Sequence, residues 1–374
     1  MAIILHDMNF PQKLPSLNGL RAISILLVII SHYVMYYFGV KHVPLDDTLV
    51  SFNLGHLGVN VFFVISGYLI TSLLLREEEA TGNVSLKNFY VRRTIRIFPA
   101  YYFVLFVYFV LQLSSIIVIP NSSWATAITY TKYFNWYKDP YTTHFWSLAV
   151  EEHFYLFWPL VFRFLPKQRT FIATSVVILV PLIRFVMGHR IFVWLNHMTF
   201  FERADAIMWG CLFAVYQKQI LNYIQRNKYV VHLSMLAIIL SMLTPSLTGK
   251  LANDLLYRLS TSLFGSYGTV VNVAIAFIML ASVYGRKNVW FKVLNSKTFD
   301  FVGKLSYSIY LWQQFFILGM IGIITDAPYS LIGLVIASLI SYYFIELPFL
   351  KFKKRFEVNR IKPANKLPQK AHVA

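Results

Sequence analysis

Ten runs of predominantly apolar residues mark out the chain, at roughly 17–38, 57–75, 97–119, 146–165, 170–187, 204–217, 229–245, 268–284, 305–323 and 328–347. Most approach the ~20 residues that a helix needs to cross a bilayer, and 204–217 is the short one. The segments between them hold most of the Lys and Arg. With the N-terminus placed in the cytoplasm, the cytoplasmic segments carry about three times as many basic residues as the opposite ones. That asymmetry is the positive-inside pattern, and it requires an even number of spans. The pattern predicts an all-α polytopic membrane protein of about ten transmembrane helices with both termini cytoplasmic. Residues 1–350 are expected to form one transmembrane domain and 351–374 a basic cytoplasmic tail. The first run is too long for the apolar core of a cleaved signal peptide, and no small-residue cleavage site follows it.

Composition strengthens this reading. The chain has 374 residues, of which 57% are hydrophobic and 13% charged, and its mean hydropathy is +0.57. Soluble domains carry about 25% charged residues, so most of this chain is expected never to meet water. A net charge of +18 would suggest nucleic acid in a soluble protein. Here the basic residues flank apolar spans, so they read as topology signals and lipid headgroup contacts. Lys351, Lys353, Lys354 and Arg355 in particular read as a segment lying on anionic lipids. The single cysteine, Cys211, allows no intrachain disulfide and no thiolate metal cluster, and is expected to be a small buried helix residue.

Charge inside a span is expensive and points to function. Arg21 and His32 both fall in the first apolar run, eleven residues apart. At about 100° per residue they share one helix face, and their axial separation is about 16 Å. An acyl-CoA, with phosphates at one end and a thioester at the other, could lie along that face. Arg21 would hold phosphate with its planar donor fork, and His32 would serve as general base. The alternative is that Arg21 reaches back to the interface while His32 bonds a neighbouring helix. Arg92, Arg93 and Arg96 precede the third run, where they would suit a polyphosphate or anchor to headgroups. The fourth run opens with His144, Trp146, Glu151, Glu152, His153 and Tyr155, groups able to orient an imidazole or to bind sugar hydroxyls. Glu202, Arg203 and Asp205 flank the start of the short sixth run, and Glu346 stands where it could pair with the basic tail.

These motifs together resemble the acyltransferase-3 family of integral membrane O-acyltransferases. The matching elements are Gly19-Leu20-Arg21 with His32; Gly58-Val59 through Phe62-Phe63 to Ser66-Gly67-Tyr68-Leu69; Arg92-Arg93, Arg96-Ile97, Pro99 and Tyr101; Trp146-Ser147-Leu148 with Glu151, Phe154 and Tyr155; Arg203 and Asp205 with Gly210; and Ser306-Tyr307-Ser308-Ile309-Tyr310-Leu311-Trp312. The resemblance implies ten membrane helices, an acyl donor reached from the cytoplasm, most often acetyl-CoA, and a cell-surface or lipid-linked carbohydrate acceptor. It assigns catalysis to His32 with Arg21 and Glu151, and donor binding to Arg92, Arg93, Arg96, Tyr101 and Ser66. Trp146, Glu152, Tyr155, Asp205 and Tyr310 are expected on the acceptor side. It implies no metal, no permanently bound cofactor and no nucleic-acid partner, and it places the protein in a cell membrane, such as the bacterial inner membrane. Family members commonly carry a histidine after Tyr-Leu-Trp; this chain has Gln313, which keeps a hydrogen bond but takes no proton at neutral pH. Some members add a C-terminal hydrolase-like domain. Without one, this chain would rely on its membrane domain or on a partner for any second transfer. The competing reading is a secondary transporter of a sugar or lipid-linked glycan, coupled through buried His and Glu.

Overall fold

A computed structural model describes residues 14–41, 54–134, 139–194, 199–248, 254–265, 268–318 and 328–353. Among these residues every regular element is helical and none is a strand. The helices are α1 (Leu17–Lys41), α2 (Leu54–Thr81), α3 (Leu86–Leu113), α4 (Asn121–Ile128), α5 (Trp146–Phe164), α6 (Arg169–Trp194), α7 (Thr199–Val215), α8 (Gln217–Arg226), α9 (Tyr229–Thr248), α10 (Asp254–Phe264), α11 (Thr269–Tyr284), α12 (Val289–Leu294), α13 (Lys297–Ile317), α14 (Tyr329–Ile340) and α15 (Leu347–Lys353). A single π-helical stretch, Ser341–Glu346, joins the last two.

Among the described residues each of the ten apolar runs falls largely on a helix. Six stretches combine the length and apolarity of a membrane span: Leu17–Val34, Leu54–Thr81, Leu86–Leu113, Arg169–Val186, Arg258–Tyr284 and Tyr329–Lys353. The other four runs fall short for physical reasons. Helix α5 carries Glu151, Glu152 and Arg163, α13 begins with Lys297, Asp300 and Lys304, α7 has only 17 residues, and the described apolar part of α9 is Tyr229–Met242. Large apolar side chains on the spanning helices point outward, among them Phe106 and Leu113 on α3 and Phe344 in the π turn. On a soluble protein such a surface would be a liability; on these helices it is the face offered to lipid. The tail beyond Lys353 lies outside the described residues.

The third run is expected at 97–119, whereas α3 runs from Leu86 to Leu113. The Ser85 hydroxyl accepts the Asn88 amide and caps the helix. Arg92, Arg93 and Arg96 therefore sit on a helix wall, not in a loop before it. The helix then stops at Ser114, and Ser115 adopts a left-handed conformation (φ 57°).

Small residues set the closest helix crossings. A Cβ on Gly67 of α2 would collide with the Ile207 carbonyl of α7, and one on Gly210 of α7 would collide with the Val64 carbonyl of α2. The two backbones thus touch, as small residues permit in membrane bundles. Cys211, fully buried beside them, directs its thiol at the Gly67 carbonyl. Helices α1 and α2 run antiparallel, with Ser24 Oγ donating to the Gly58 carbonyl at 2.5 Å. The link between α4 and α5 is tied by a buried ion pair, Lys132 Nζ to Asp139 Oδ2 at 2.5 Å, and the Thr142 amide and hydroxyl also donate to Asp139.

Candidate active site

A cavity of about 550 Å³ opens inside the bundle. Its lining follows α2 from Val59 to Thr81, about 33 Å of helix axis. Helices α3, α5 and α13, Arg21 of α1 and Lys353 of α15 complete the wall. Six basic residues reach it, Arg21, Arg76, Arg92, Arg93, Arg96 and Lys353, against three acids, Glu77, Glu151 and Glu152.

The arginines are not equivalent. Arg92 is paired with Glu77 at 2.8 Å near the end of α2. Arg93 lies over the Tyr155 ring, 4.9 Å from its centroid, a cation–π arrangement. Arg21 and Arg96 make neither an ion pair nor a hydrogen bond among the described residues. Both also border a second cavity of about 320 Å³, bounded by the start of α1 and the π turn. They lie within electrostatic reach of each other and of Glu346. Glu346 is buried on the π turn and accepts the Ser308 hydroxyl at 3.0 Å. It therefore faces the arginines of the interior, where the sequence suggested a partner in the basic tail. The extra residue of a π turn is what rotates it inward.

Midway along the cavity, Ser66 Oγ donates to Glu151 Oε1 at 2.6 Å and the Tyr155 hydroxyl donates to Ser66 Oγ at 3.0 Å. Ser66, Glu151, Glu152, Tyr155 and Tyr310 all line the cavity. Its deep end is lined by Val59, Phe62, Phe63, Ser147, Leu148 and Tyr310.

His32 lies beyond that end and is not part of the lining. Its Nδ1 is 2.5 Å from Gln313 Oε1, one turn past Tyr310 on α13. With the amide in this orientation its oxygen accepts from Nδ1–H, and in the neutral ring Nε2 then keeps its lone pair. The next residue, Gln314, holds His144 through Nδ1 at 2.8 Å. On the same side Arg203 lies over Trp146, 5.5 Å from the ring centroid, and bonds Asn60; His56 is within electrostatic reach of both Arg203 and His32.

Comparison with known proteins bears on this arrangement. The family model described as an acyltransferase domain (Acyl_transf_3) matches residues 14–346. The chain belongs to the acyltransferase-3 family. It is 30% identical to O-acetyltransferase OatA of Staphylococcus aureus strain NCTC 8325, over 93% of this chain and 59% of that protein. It is 29% identical to a putative O-acetyltransferase of Staphylococcus aureus strain COL, over 91% of this chain and 58% of that one. The chain thus spans about three fifths of the length of these curated relatives. No solved structure matches.

Within this family member the motif residues divide into groups. Arg21, Arg93, Arg96, Ser66, Glu151, Glu152, Tyr155 and Tyr310 meet in the cavity. Tyr101 does not: its hydroxyl donates to the Ala127 carbonyl at 2.8 Å and its ring stacks on Tyr130. Asp205 is also elsewhere, fully buried in an ion pair with Arg184 at 2.8 Å and bonded by Asn272. Trp146 is not part of the lining; it stands edge-on to Phe63 and beneath the Arg203 guanidinium. Arg76 is a cavity-lining residue that the sequence reading passed over, and Glu346, expected to pair with the basic tail, borders the second cavity. Arg76 looks like loop charge until α2 is seen to continue to Thr81, and Glu346 depends on a π turn that leaves no sequence signal. Among the described residues no group of three His, Cys, Asp or Glu could hold a metal ion.

Proposed function

We propose that this chain is a multi-pass membrane O-acyltransferase that moves an acetyl group from acetyl-CoA to a hydroxyl of a cell-surface or lipid-linked carbohydrate. The observation that carries the reading is the placement of Arg21 and Arg96. Two guanidinium groups that make no ion pair or hydrogen bond among the described residues face a cavity inside the bundle, and His32, held by Gln313, lies further along Arg21's own helix. Arginines that face a cavity with no direct ion pair suit an anionic ligand, and a bidentate guanidinium fork suits phosphate.

In this reading the donor enters from the basic end of the cavity, and its phosphates rest between Arg21 and Arg96. The pantetheine arm runs from the arginines past Phe62 and Tyr310, so that the thioester meets the acceptor hydroxyl beside His32. The acceptor hydroxyl approaches His32 from the other side. His32 Nε2 takes the hydroxyl proton, the oxygen attacks the thioester carbonyl carbon, and the carbon–sulfur bond breaks. The imidazolium then returns the proton to the departing thiolate. Gln313 holds the tautomer this requires, which is the service a family histidine would also give. Glu151, tied to Ser66, balances the arginine charge. The bundle has about ten spans in a bacterial cell membrane, with the basic end of the cavity and both termini cytoplasmic.

The test is transfer of radiolabelled acetyl from acetyl-CoA to cell-envelope glycan by the purified protein in lipid. Wild type is expected to consume thioester and His32→Ala to transfer nothing. Equal transfer by a well-expressed His32→Ala protein would overturn the base assignment. A wild type that never consumes thioester would favour a transporter.

A further inference from the structure

Three arginines, Arg21, Arg76 and Arg96, line both cavities, together with Leu69 and Leu73. They form the boundary between the two. The acids do not share it. Glu77, Glu151 and Glu152 border the first cavity alone. Glu346 borders the second alone and is the only acid among the described residues lining it. Arg21 and Arg96 are within electrostatic reach of Glu151 on one side and of Glu346 on the other.

The last helix aims Glu346 at this boundary. Glu346, Leu350 and Lys353 recur at helical spacing on one face. The first two line the second cavity and Lys353 lines the first, so that face lies along the arginines. The carboxyl group is buried, and the Ser308 hydroxyl of α13 donates to it at 3.0 Å. A hydroxyl holds the group in place without neutralising it, so its charge acts on the two guanidiniums through space.

The chemistry of the donor gives such an acid a use. Acetyl-CoA and spent CoA carry the same phosphates. Contacts to that end therefore bind substrate and product alike and add nothing to the chemical step. Arginines in a poorly hydrated wall hold a polyphosphate firmly, and product release limits many enzymes. A fixed negative charge behind the arginines loosens their hold and leaves the reacting atoms untouched.

We propose that Glu346 is a positioning residue that sets how tightly Arg21 and Arg96 hold the anionic end of the donor, and so speeds the departure of CoA. This rests on the acyltransferase reading above. Glu346 acts through the arginines and stands outside the first cavity, along which the thioester runs.

The experiment measures CoA binding by titration calorimetry and steady-state acetyl transfer for the full chain in lipid. Glu346→Gln keeps an acceptor for Ser308 and removes the charge. It should bind CoA about tenfold more tightly, the scale of removing one like charge roughly 10 Å away at an effective dielectric constant of about 20. Inhibition by CoA should strengthen in step, and kcat and KM for acetyl-CoA should fall together. Glu346→Asp keeps the charge and should stay closer to wild type. Leu350→Glu and Leu350→Lys, one turn along the same face, guard against a glutamine variant that does not fold: the first should weaken CoA binding and the second should tighten it. Unchanged or weaker CoA binding in a folded Glu346→Gln protein, or a shift of the same sign in both Leu350 variants, overturns the assignment while the acyltransferase reading stands. A wild type that neither binds CoA nor transfers acetyl removes the acyltransferase reading, and this inference with it.

Discussion

His32 Nδ1 lies 2.5 Å from Gln313 Oε1, joining α1 to α13 across 281 residues of sequence. The contact fixes the imidazole in one tautomer and aims Nε2 away from α13. Gln313→Leu should therefore lower kcat for acetyl transfer by roughly tenfold, the scale of one lost hydrogen bond, with KM for acetyl-CoA unchanged. Gln313→Glu offers the same acceptor geometry and should retain most of the activity. Steady-state kinetics on both variants decides. A KM effect without a kcat effect would mean that Gln313 shapes binding and not the base.

The arginines should separate by their partners. Arg92 is engaged by Glu77, whereas Arg21 and Arg96 face the cavities without an ion pair among the described residues. Arg21→Ala and Arg96→Ala should each weaken CoA binding by about 10-fold to 100-fold, as expected for lost charge-assisted bonds. Arg92→Ala should weaken it less than about threefold, because Glu77 already engages that guanidinium. Titration calorimetry with CoA reads this directly, and equal losses at all three positions would contradict the division.

The crossing of α2 and α7 should tolerate no added methyl. A Cβ on Gly67 or Gly210 runs into the facing backbone carbonyl, which cannot rotate away as a side chain could. Gly67→Ala and Gly210→Ala should each cost about 1–3 kcal/mol of stability and lower the melting temperature in detergent. Leu113→Ala, on the lipid-facing surface, should change it little. A melting temperature unmoved in Gly67→Ala would show that the helices can part.

The link between α4 and α5 should be acid-labile. Burial by itself would raise the Asp139 pKa, but Lys132 at 2.5 Å and the Thr142 donors override it and hold it below the ordinary carboxylate value. A depressed folded pKa gives stability that is present above the unfolded pKa of about 3.9 and lost as pH falls through the folded value. Proteolysis of 129–145 should therefore accelerate only below about pH 4. Asp139→Ala, which strands a buried lysine at a cost of about 3–5 kcal/mol, should be cleaved rapidly at pH 7. Protection of Asp139→Ala at pH 7 would argue against the pair as the tie.

Much of the bundle was legible in the chain. All ten apolar runs became helices, because twenty apolar residues in a row have few other ways to satisfy their backbone groups in lipid. The number that span was less legible. Helix α5 turns Glu151 and Glu152 toward a polar cavity, so its hydropathy understates its burial, while the charges of α13 are confined to its first two turns. The start of α3 was misplaced for the same reason: arginines that look like a loop continue a helix when a cavity or an acid receives them.

The sequence by itself determined that Arg21 and His32 share a face about 16 Å apart, because both lie on one helix and helical periodicity is local. The family also followed from residues in order along the chain. Only the tertiary structure decided the partners: Gln313 for His32, Glu77 for Arg92, Arg184 for Asp205 and the aromatic core for Tyr101. Those choices depend on which helices touch and at what height. Helix contact is governed by small-residue crossings such as Gly67–Gly210 and by a π turn at Glu346, whose spatial consequences no linear pattern expresses.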